Sequence, residues 1–346
     1  MEKKQIENPL YKYKKLIFIF VIVLLLVFAV MSNSEDIKQG FEKMQLIPWS
    51  TTIVIFLLLI AYISVDTYIL KVSIDDKLLR SDNAFTINMA GSFFSAITPM
   101  YIGSYPSRVY YLYKEGIEVD KILSGLTVKG LSYQIVLTFF GIIAYFMTPV
   151  VKHSGWDLAF FLGILLNMTL ATFLILISSS KKFNEIVIKF VQKLAKRFNF
   201  FKKREAELMT SINNYYNETR RMYHDFNYSF KVFFSTFIKV IIYYIMPLVI
   251  FHGLGLNTIS YFIEIIAIAS IIQIMISVIP TPGGMGASEY VFILLYGILY
   301  SNIADDGDIE AAMLIYRFVS HYSLIIIGVI CMLLLQTKRP KRRRKA

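Results

Sequence analysis

The stretch Pro280-Thr281-Pro282-Gly283-Gly284-Met285-Gly286-Ala287-Ser288-Glu289 follows an apolar run, 259–279, and leads into another, 287–300. Its two prolines remove backbone N–H donors, and its three glycines allow backbone conformations that other residues rarely adopt, so the stretch breaks a helix inside an apolar region. A new helix begins near Ala287, and its free N–H groups suit an anion such as a phosphate. The alternative is a tight connection between two spans that binds nothing.

The composition surrounding this loop is that of a membrane protein. Hydrophobic residues make up 56% of the 346 residues and charged residues only 17%, whereas soluble domains carry about 25% charged residues. We therefore predict an all-α integral membrane protein, a single polytopic domain over 1–346 with about eight transmembrane helices. The predicted spans are 16–31, 51–70, 123–150, 158–177, 230–251, 259–279, 287–300 and 311–335.

The basic residues predict the orientation, because loops rich in Lys and Arg stay in the cytoplasm. With both termini inside, the basic segment 180–228 and the basic tail 336–346 are cytoplasmic, while the acidic segment 305–308 lies outside. The chain is thus expected to be a multi-pass protein of a bacterial cell membrane. Since the excess charge of +12 lies beside apolar runs, it indicates contact with anionic lipid, and no nucleic-acid binding is expected.

Two segments do not fit the pattern of simple spans. The segment 84–105 is apolar, but a crossing there would move every later loop to the opposite side of the membrane and so contradict the distribution of basic residues. The segment is therefore predicted to be re-entrant or to lie on the membrane surface. The segment 180–228 contains apolar residues at helical spacing opposite a basic face. This amphipathic helix either lies on the anionic inner leaflet or packs beneath the spans.

An earlier stretch, Thr98-Pro99-Met100-Tyr101-Ile102-Gly103-Ser104, resembles the glycine-rich loop. Aligning Thr98 with Thr281 also pairs Pro99 with Pro282, Gly103 with Gly286, Leu112 with Leu295 and Tyr113 with Tyr296. Broken segments at corresponding places in two halves of a chain mark the binding site of repeat-built transporters. The alternatives are a chance similarity and a surface hairpin without ligand.

Charged residues inside spans are costly and are therefore candidates for function. Arg317 and His321 are one helical turn apart on the last span, on a face that can meet Glu289. A Glu289–Arg317 ion pair that holds the loop is one interpretation, and contact of Arg317 with a lipid phosphate is the other. Lys129, Lys239 and Asp66 lie nearer to span ends, where we expect them to reach toward the interface.

Signatures of catalysis are scarce. The four histidines are widely separated, Cys331 is the single cysteine, and neither a Walker A loop nor a Gly-x-Ser-x-Gly elbow is present. No catalytic residue, metal site or cofactor is predicted, and ATP-driven pumping by this chain alone is excluded.

The sequence resembles the transmembrane, flippase-like domain of the lysylphosphatidylglycerol synthase family, whose full-length members are called MprF. The residues that carry the resemblance are Ile279 to Glu289, Ala96 to Pro99 with Gly103, Pro106 and Tyr110-Tyr111-Leu112, and Ser132 to Leu137. The resemblance covers nearly the whole chain. Where related sequences commonly carry Gly-Gly-Gln-Pro or a Gly-Glu followed by Arg, this chain has Gly103-Ser104-Tyr105-Pro106, which puts equal function of the two half-sites in doubt.

The resemblance implies movement of an anionic or lysyl-modified phospholipid, such as phosphatidylglycerol or lysylphosphatidylglycerol, and a link with lipid metabolism and antibiotic resistance. Full-length members add a soluble domain that transfers lysine from lysyl-tRNA to phosphatidylglycerol, and no residues for it are expected after the last span. The alternatives are a phosphatidylglycerol lysyltransferase, a partner of a separate aminoacyl- or glycosyltransferase chain, and a membrane scaffold. The predicted substrate-binding residues are Thr98, Pro99, Gly103, Arg108, Pro280, Thr281, Pro282, Gly283, Gly284, Gly286, Glu289 and Arg317.

Overall fold

The computed structural model of the protein describes residues 35–197, 205–305 and 307–337. Its helices are α1 (Glu35–Met44), α2 (Trp49–Ile74), α3 (Ser81–Ala96), α4 (Ser104–Lys114), α5 (Val119–Met147), α6 (Val150–Ser154), α7 (Asp157–Ser179), α8 (Lys181–Arg197), α9 (Glu205–His224), α10 (Phe226–Gly253), α11 (Phe262–Ile276), α12 (Ala287–Leu299), α13 (Asp308–Arg317), a π-helical segment (Phe318–Tyr322) and α14 (Ser323–Thr337). The predicted span 16–31 and the tail beyond Thr337 lie outside the described residues.

The prediction of an all-α membrane protein is confirmed. Within the described ranges no strand forms, and five helices are long and apolar enough to cross a membrane: α2, α5, α7, α10 and the continuous helix from α13 to α14. The regions predicted as the spans 259–279 and 287–300 instead hold the short helices α11 and α12, of 15 and 13 residues. At 1.5 Å per residue these reach only about 22 Å and 20 Å, less than the ~30 Å apolar core of a bilayer.

The helices form two similar halves. The alignment of Thr98 with Thr281 also places the start of α4, Ser104, on the start of α12, Ala287. In the first half α2, α3, α4 and α5 follow one another, and in the second half α10, α11, α12 and the α13–α14 helix do the same. The packing follows this correspondence, because α3 lies against α14 as α11 lies against α5. The predicted internal repeat is therefore visible in the arrangement of the helices.

The two halves are inverted relative to each other. Helices α2 and α10, which correspond in the repeat, pack side by side and antiparallel. A methyl carbon of Thr51 lies beside Gly253 at one end of the pair, and the Tyr228 hydroxyl donates to the Ser73 carbonyl at 2.6 Å at the other end. An antiparallel contact between equivalent helices requires a local two-fold axis perpendicular to them. In a membrane such an axis lies in the bilayer plane, as in transporters built from inverted repeats.

The first short-helix pair, α3 and α4, lies in the interior rather than on the surface. Ala84, Ile87, Asn88 and Ala90 of α3 are all completely buried, because this face packs against α14. This burial favours the re-entrant alternative for 84–105 over the surface-lying one, and the assignment stays a prediction. The loop after α3 leads into α4, of which one side, including Tyr111 and Leu112, is buried.

The basic segment after α7 forms the helix pair α8 and α9, and Asp225 then starts α10 by accepting a hydrogen bond from the Tyr228 N–H at 3.0 Å. Helix α9 packs against α5, where the Tyr215 carbonyl accepts a hydrogen bond from the Ser124 hydroxyl at 3.2 Å. Helix α8 contacts α9 but leaves Ile186 and Phe190 about 60% exposed. The segment thus combines a packed helix with one that carries exposed apolar side chains.

Candidate functional site

The two proline-containing loops predicted as half-sites meet at their tips. Pro99 and Pro282 form an isolated antiparallel bridge, and the Gly283 N–H donates to the Thr98 carbonyl at 3.4 Å. Because Pro99 and Pro282 are equivalent in the repeat, their direct pairing places the two-fold axis between them. The loops that end α3 and α11 therefore approach each other from opposite ends of the bundle.

The two tips share a backbone conformation that the sequence alignment alone does not show. Gly283 and Gly284 have φ angles of 58° and 67°, and the equivalent residues of the first tip, Met100 and Tyr101, have φ angles of 52° and 60°. For residues with a side chain this left-handed conformation costs about 1–2 kcal/mol. The first tip thus retains the fold of the glycine-rich tip without its glycines.

The close packing of the tips explains why Gly283 and Gly284 are glycines. A Cβ at Gly283 would lie 2.5 Å from the Ala96 carbonyl oxygen and 2.6 Å from His321 Cε1, and a Cβ at Gly284 would overlap the Tyr101 hydroxyl. A Cβ at Gly286 would meet nothing within 4 Å, although its φ of 80° still favours glycine. The loop is therefore most restricted at Gly283 and Gly284, and less so at Gly286.

Behind the second tip, the expected ion pair between Glu289 and Arg317 forms. Arg317 Nε donates to Glu289 Oε1 at 2.7 Å, and both side chains are at least 95% buried. The Tyr322 hydroxyl donates to the same carboxylate oxygen at 3.3 Å, and Ser288 Oγ lies 2.8 Å from Oε2. Both carboxylate oxygens are occupied, whereas Arg317 Nη2 is buried without a hydrogen-bond partner.

The start of α12 is a less suitable anion site than its sequence indicated. The Ser288 N–H donates to the Gly284 carbonyl at 2.9 Å and is not free. The Glu289 carboxylate already lies in the first turn of the helix, where it interacts favourably with the helix dipole and opposes a second negative charge. Cationic side chains elsewhere in the bundle are therefore better candidates for binding an anion.

A π-helical turn from Phe318 to Tyr322 follows Arg317 and changes which side chains share a face. His321 consequently lies against Gly283, with Nε2 buried and without a hydrogen-bond partner. Thr281 Oγ1 and Ser320 Oγ are also buried without partners. Such π-helical turns occur often at functional sites, because the added residue leaves backbone and side chains in unusual positions.

The strongest concentration of charge lies on the other side of the tips, around Asp66 of α2. Its Oδ1 accepts hydrogen bonds from Lys129 Nζ at 3.0 Å and Lys239 Nζ at 2.8 Å. Its Oδ2 accepts from Asn88 Nδ2 at 2.6 Å and lies 3.9 Å from Arg108 Nη2. We call Asp66, Asn88, Arg108, Lys129 and Lys239 the cation cluster. The snorkelling interpretation of Asp66 and the two lysines is wrong, because each finds its partner inside the bundle.

The cation cluster is deep in the bundle but not sealed. Along α2, Asp66 is about 22 Å from Thr51 and about 11 Å from Ser73 at 1.5 Å per residue. The side chains of Arg108 and Lys129 keep 10% of their surface accessible, and that of Lys239 keeps 13%. A small part of each cationic side chain therefore remains exposed.

Aromatic side chains and one glycine position the cations. Lys239 Nζ lies 5.4 Å from the ring centre of Tyr62 and 5.2 Å from that of Tyr133, which are cation–π distances. Arg108 extends across the backbone of α3 at Gly91, where a Cβ would lie 2.7 Å from Arg108 Nε. That Nε is buried and has no hydrogen-bond partner.

Tyrosines connect the cation cluster with the Glu289–Arg317 pair. The rings of Tyr62 on α2 and Tyr243 on α10 are 5.7 Å apart, near the middle of the antiparallel pair. Tyr101 of the first tip is within electrostatic range of Arg317 and Glu289 and of Tyr62. Tyrosine side chains thus lie near both ionic groups of the interior.

The predicted site residues therefore separate into two places. Thr98, Pro99, Pro282 and Gly283 meet at the tips, Gly103 donates its N–H to Thr98 Oγ1 at 2.9 Å, and Gly284 follows directly. Pro280, Thr281, Gly286, Glu289 and Arg317 belong to the second loop and its supporting helices, whereas Arg108 belongs to the cation cluster. Asp66, Lys129, Lys239 and Asn88 were not predicted as site residues. The signal available in the sequence was three cations and one carboxylate within apolar segments.

In the described part of the chain, no group of three or more His, Cys, Asp or Glu side chains is arranged to hold a metal ion. The charged residues of the interior instead form ion pairs and hydrogen bonds with one another. What the arrangement offers chemically is a set of fixed N–H donors with excess positive charge, which suits binding of an anion.

Comparison with known proteins agrees with this architecture. The chain is 23% identical over 276 residues to a Mycoplasma pneumoniae protein named "Uncharacterized protein MG306 homolog". The aligned region covers 72% of this chain and 69% of that protein. No solved structure matches the chain. Residues 15–328 match the family described as "Lysylphosphatidylglycerol synthase TM region", and the chain, a membrane protein with buried charges between two inverted halves, belongs to that family.

Proposed function

We propose that the protein binds the headgroup of an anionic or aminoacylated phospholipid between its two halves and moves the lipid from one leaflet to the other. The single observation that carries this proposal is the cation cluster, three cations and one carboxylate buried among apolar helices. Each charge at the centre of a membrane helix costs at least about 2.5 kcal/mol. Because the three cations outnumber the one carboxylate, the excess positive charge is best explained by an anionic ligand that pairs with it.

The contacts within the cluster favour Arg108 as the group nearest to the lipid phosphate. Lys129 and Lys239 both donate to Asp66 within 3.0 Å, whereas Arg108 approaches Asp66 only to 3.9 Å. A guanidinium with free N–H groups can bind two oxygens of a phosphate at once. Gly91 lets the Arg108 side chain pass close to the backbone of α3, so its position is set by packing rather than by an ion pair.

The inverted halves provide a structural reason for movement. Short helices α3–α4 and α11–α12 reach the centre from opposite ends, and their tips touch at Pro99 and Pro282. In transporters built from inverted repeats, rocking of one half against the other opens a central site to each side in turn. We accordingly propose that the contact between the two tips closes the path of the headgroup between the leaflets. The predicted orientation, with both termini in the cytoplasm, is part of this proposal.

The test uses the purified protein in vesicles that contain phosphatidylglycerol with a fluorescent label on one acyl chain. Bleaching from outside with an impermeant reductant reports the fraction of lipid in the outer leaflet over time. Wild-type protein should accelerate the exchange, and Arg108→Gln should slow it about 10–100-fold, because a charge-assisted hydrogen bond contributes about 1.5–3 kcal/mol. Lys189→Gln, which removes an equal charge from the exposed face of α8, is the matched control.

Wild-type vesicles that exchange lipid no faster than protein-free vesicles would refute the proposal. Equal rates for Arg108→Gln and wild type would move the binding site away from the cation cluster. The enzymatic alternative, a phosphatidylglycerol lysyltransferase, is tested separately by expressing the chain in a host without lysylphosphatidylglycerol. We expect the lipid profile to remain unchanged, and appearance of the lysylated lipid would favour the enzyme.

A further inference from the structure

We infer that α8 lies on the membrane surface and binds the headgroups of anionic lipids there, at a place separate from the interior between the two halves. The partner is the surface of an anionic bilayer. This surface site is independent of lipid movement through the interior, because it involves only α8 and its contacts with α7 and α9.

One side of α8 is apolar and uncovered. Ile186 and Phe190 are 59% and 60% exposed, and at 3.6 residues per turn they lie about 40° apart around the helix. Asn184, about 160° from Ile186, is buried and donates from Nδ2 to Asn213 Oδ1 of α9 at 3.1 Å. Helix α9 therefore covers the opposite side of α8 and leaves Ile186 and Phe190 facing outward.

The start of α8 places this apolar side beside the membrane. Helix α7 is long and apolar enough to cross a bilayer and is buried at only four positions, so most of its surface faces acyl chains. Phe183 of α8 packs edge-on against Phe173 of α7, with ring centres 6.0 Å apart, and Phe173 lies about 9 Å before the end of α7. The chain thus turns back toward the apolar layer after Ser179.

Phe183 also belongs to the uncovered side, since it lies about 60° from Ile186 around α8. The same side therefore contacts a membrane-spanning helix at its start and exposes apolar side chains one and two turns later. A layer of acyl chains fits such a surface better than a soluble protein partner does.

Lysines border the apolar side. Lys193 and Lys182 are exposed and lie about 20° and 40° from Ile186, on the side away from Phe190. Lysine stems pack along apolar surface while their ammonium groups reach headgroup phosphates, and a helix with this pattern lies in the plane of the membrane interface. Each lysine near an anionic surface strengthens binding about fivefold. The arrangement therefore fits a bilayer that contains anionic lipid.

The first test measures how deep this side lies, with a nitroxide spin label on a single cysteine in a Cys331→Ala background. Phe190→Cys places the label on the apolar side, and Gln192→Cys, about 160° away on the same helix, is the matched control. The full chain is placed in nanodiscs of phosphatidylcholine and phosphatidylglycerol. Collisions of the label with oxygen, which enters the acyl layer, are compared with collisions with a nickel complex, which stays in water.

We expect oxygen to dominate at Phe190→Cys and the nickel complex to dominate at Gln192→Cys. Ile186→Cys gives a second label position on the apolar side and should behave like Phe190→Cys. Both apolar side chains are exposed, so the midpoint of thermal unfolding should stay unchanged and shows that the label reports the position of α8. Equal accessibility of all three labels to the nickel complex would overturn the inference.

The second test asks whether charge holds the helix on the lipid, with the label at Phe190→Cys throughout. Lys193→Gln should shift the equilibrium of α8 about fivefold toward water, and nanodiscs of phosphatidylcholine alone should shift it further. Lys181→Gln removes an equal charge from an exposed residue about 140° from Ile186 and should have a smaller effect. Equal shifts in the two variants, or no change when phosphatidylglycerol is omitted, would refute binding of anionic lipid by this side of α8.

Discussion

Separate replacement of the two members of the Glu289–Arg317 pair should be more damaging than replacement of both. Each side chain is at least 95% buried, and the Nε–Oε1 distance is 2.7 Å. Glu289→Gln leaves the Arg317 charge buried without its counter-charge, and Arg317→Met does the same to Glu289. Breaking a buried pair in this way typically costs about 3–5 kcal/mol, whereas replacing both members by uncharged groups is often nearly neutral. At roughly 2 °C per kcal/mol for a large domain, each single variant should unfold about 6–10 °C lower.

The assay is the midpoint of thermal unfolding in mild detergent for wild type, both single variants and the double variant. We expect the double variant to lie closer to wild type than either single variant, with a coupling of at least about 2 kcal/mol. Glu218→Gln is the matched control, because it breaks the accessible Glu218–Arg221 pair at 2.8 Å and should cost at most about 1 kcal/mol. Single effects that simply add in the double variant would refute the view that this pair holds the second tip in place.

Three further predictions follow from the tips and the orientation. Gly283→Ala should lower the unfolding midpoint more than Gly286→Ala, because both residues have positive φ but only Gly283 also faces the Ala96 carbonyl at 2.5 Å; equal losses would contradict this packing. Met100→Gly should raise the midpoint, since it relieves a left-handed φ of 52° at an exposed residue by up to about 1 kcal/mol, and a lower midpoint would show that the Met100 side chain stabilises the tip. After removal of the native cysteine, an impermeant thiol reagent on intact cells should label a cysteine at Asp305 but not one at Lys193, and the reverse pattern would invert the proposed orientation.

The sequence predicted the fold class because apolar runs and basic flanks are read directly from the order of residues. It also located both tips, since the Pro and Gly residues at 98–103 and 280–286 have few roles inside apolar segments other than breaking a helix. The regions predicted as the spans 259–279 and 287–300 form helices of only 15 and 13 residues. Their apolar runs are continuous in composition, and the first helix ends where the backbone hydrogen bonds of Ser277 and Ile279 change to the residue three positions earlier.

The cation cluster was beyond the reach of sequence reasoning for a different reason. Asp66, Lys129 and Lys239 are far apart in the chain, and each alone is equally compatible with reaching the interface. Their convergence depends on the register of α2 against α10 and on α5 packing beside both. The π-helical turn after Arg317 is likewise invisible in the sequence, and it contains His321, whose ring lies against Gly283.

The antiparallel contact of α2 with α10 also bears on how such a chain arose. Equivalent helices that meet across a two-fold axis form the kind of interface that a homodimer has, with the same surface contributed twice. A half-length ancestor that inserted into the membrane in both orientations and paired with its own inverted copy would give this arrangement after gene duplication and fusion. The Asp66–Lys239 contact at 2.8 Å lies across the interface between the two halves. Neither charge has a charged counterpart, since Val249 and Phe56 occupy the equivalent positions, so this contact makes the two halves chemically unequal.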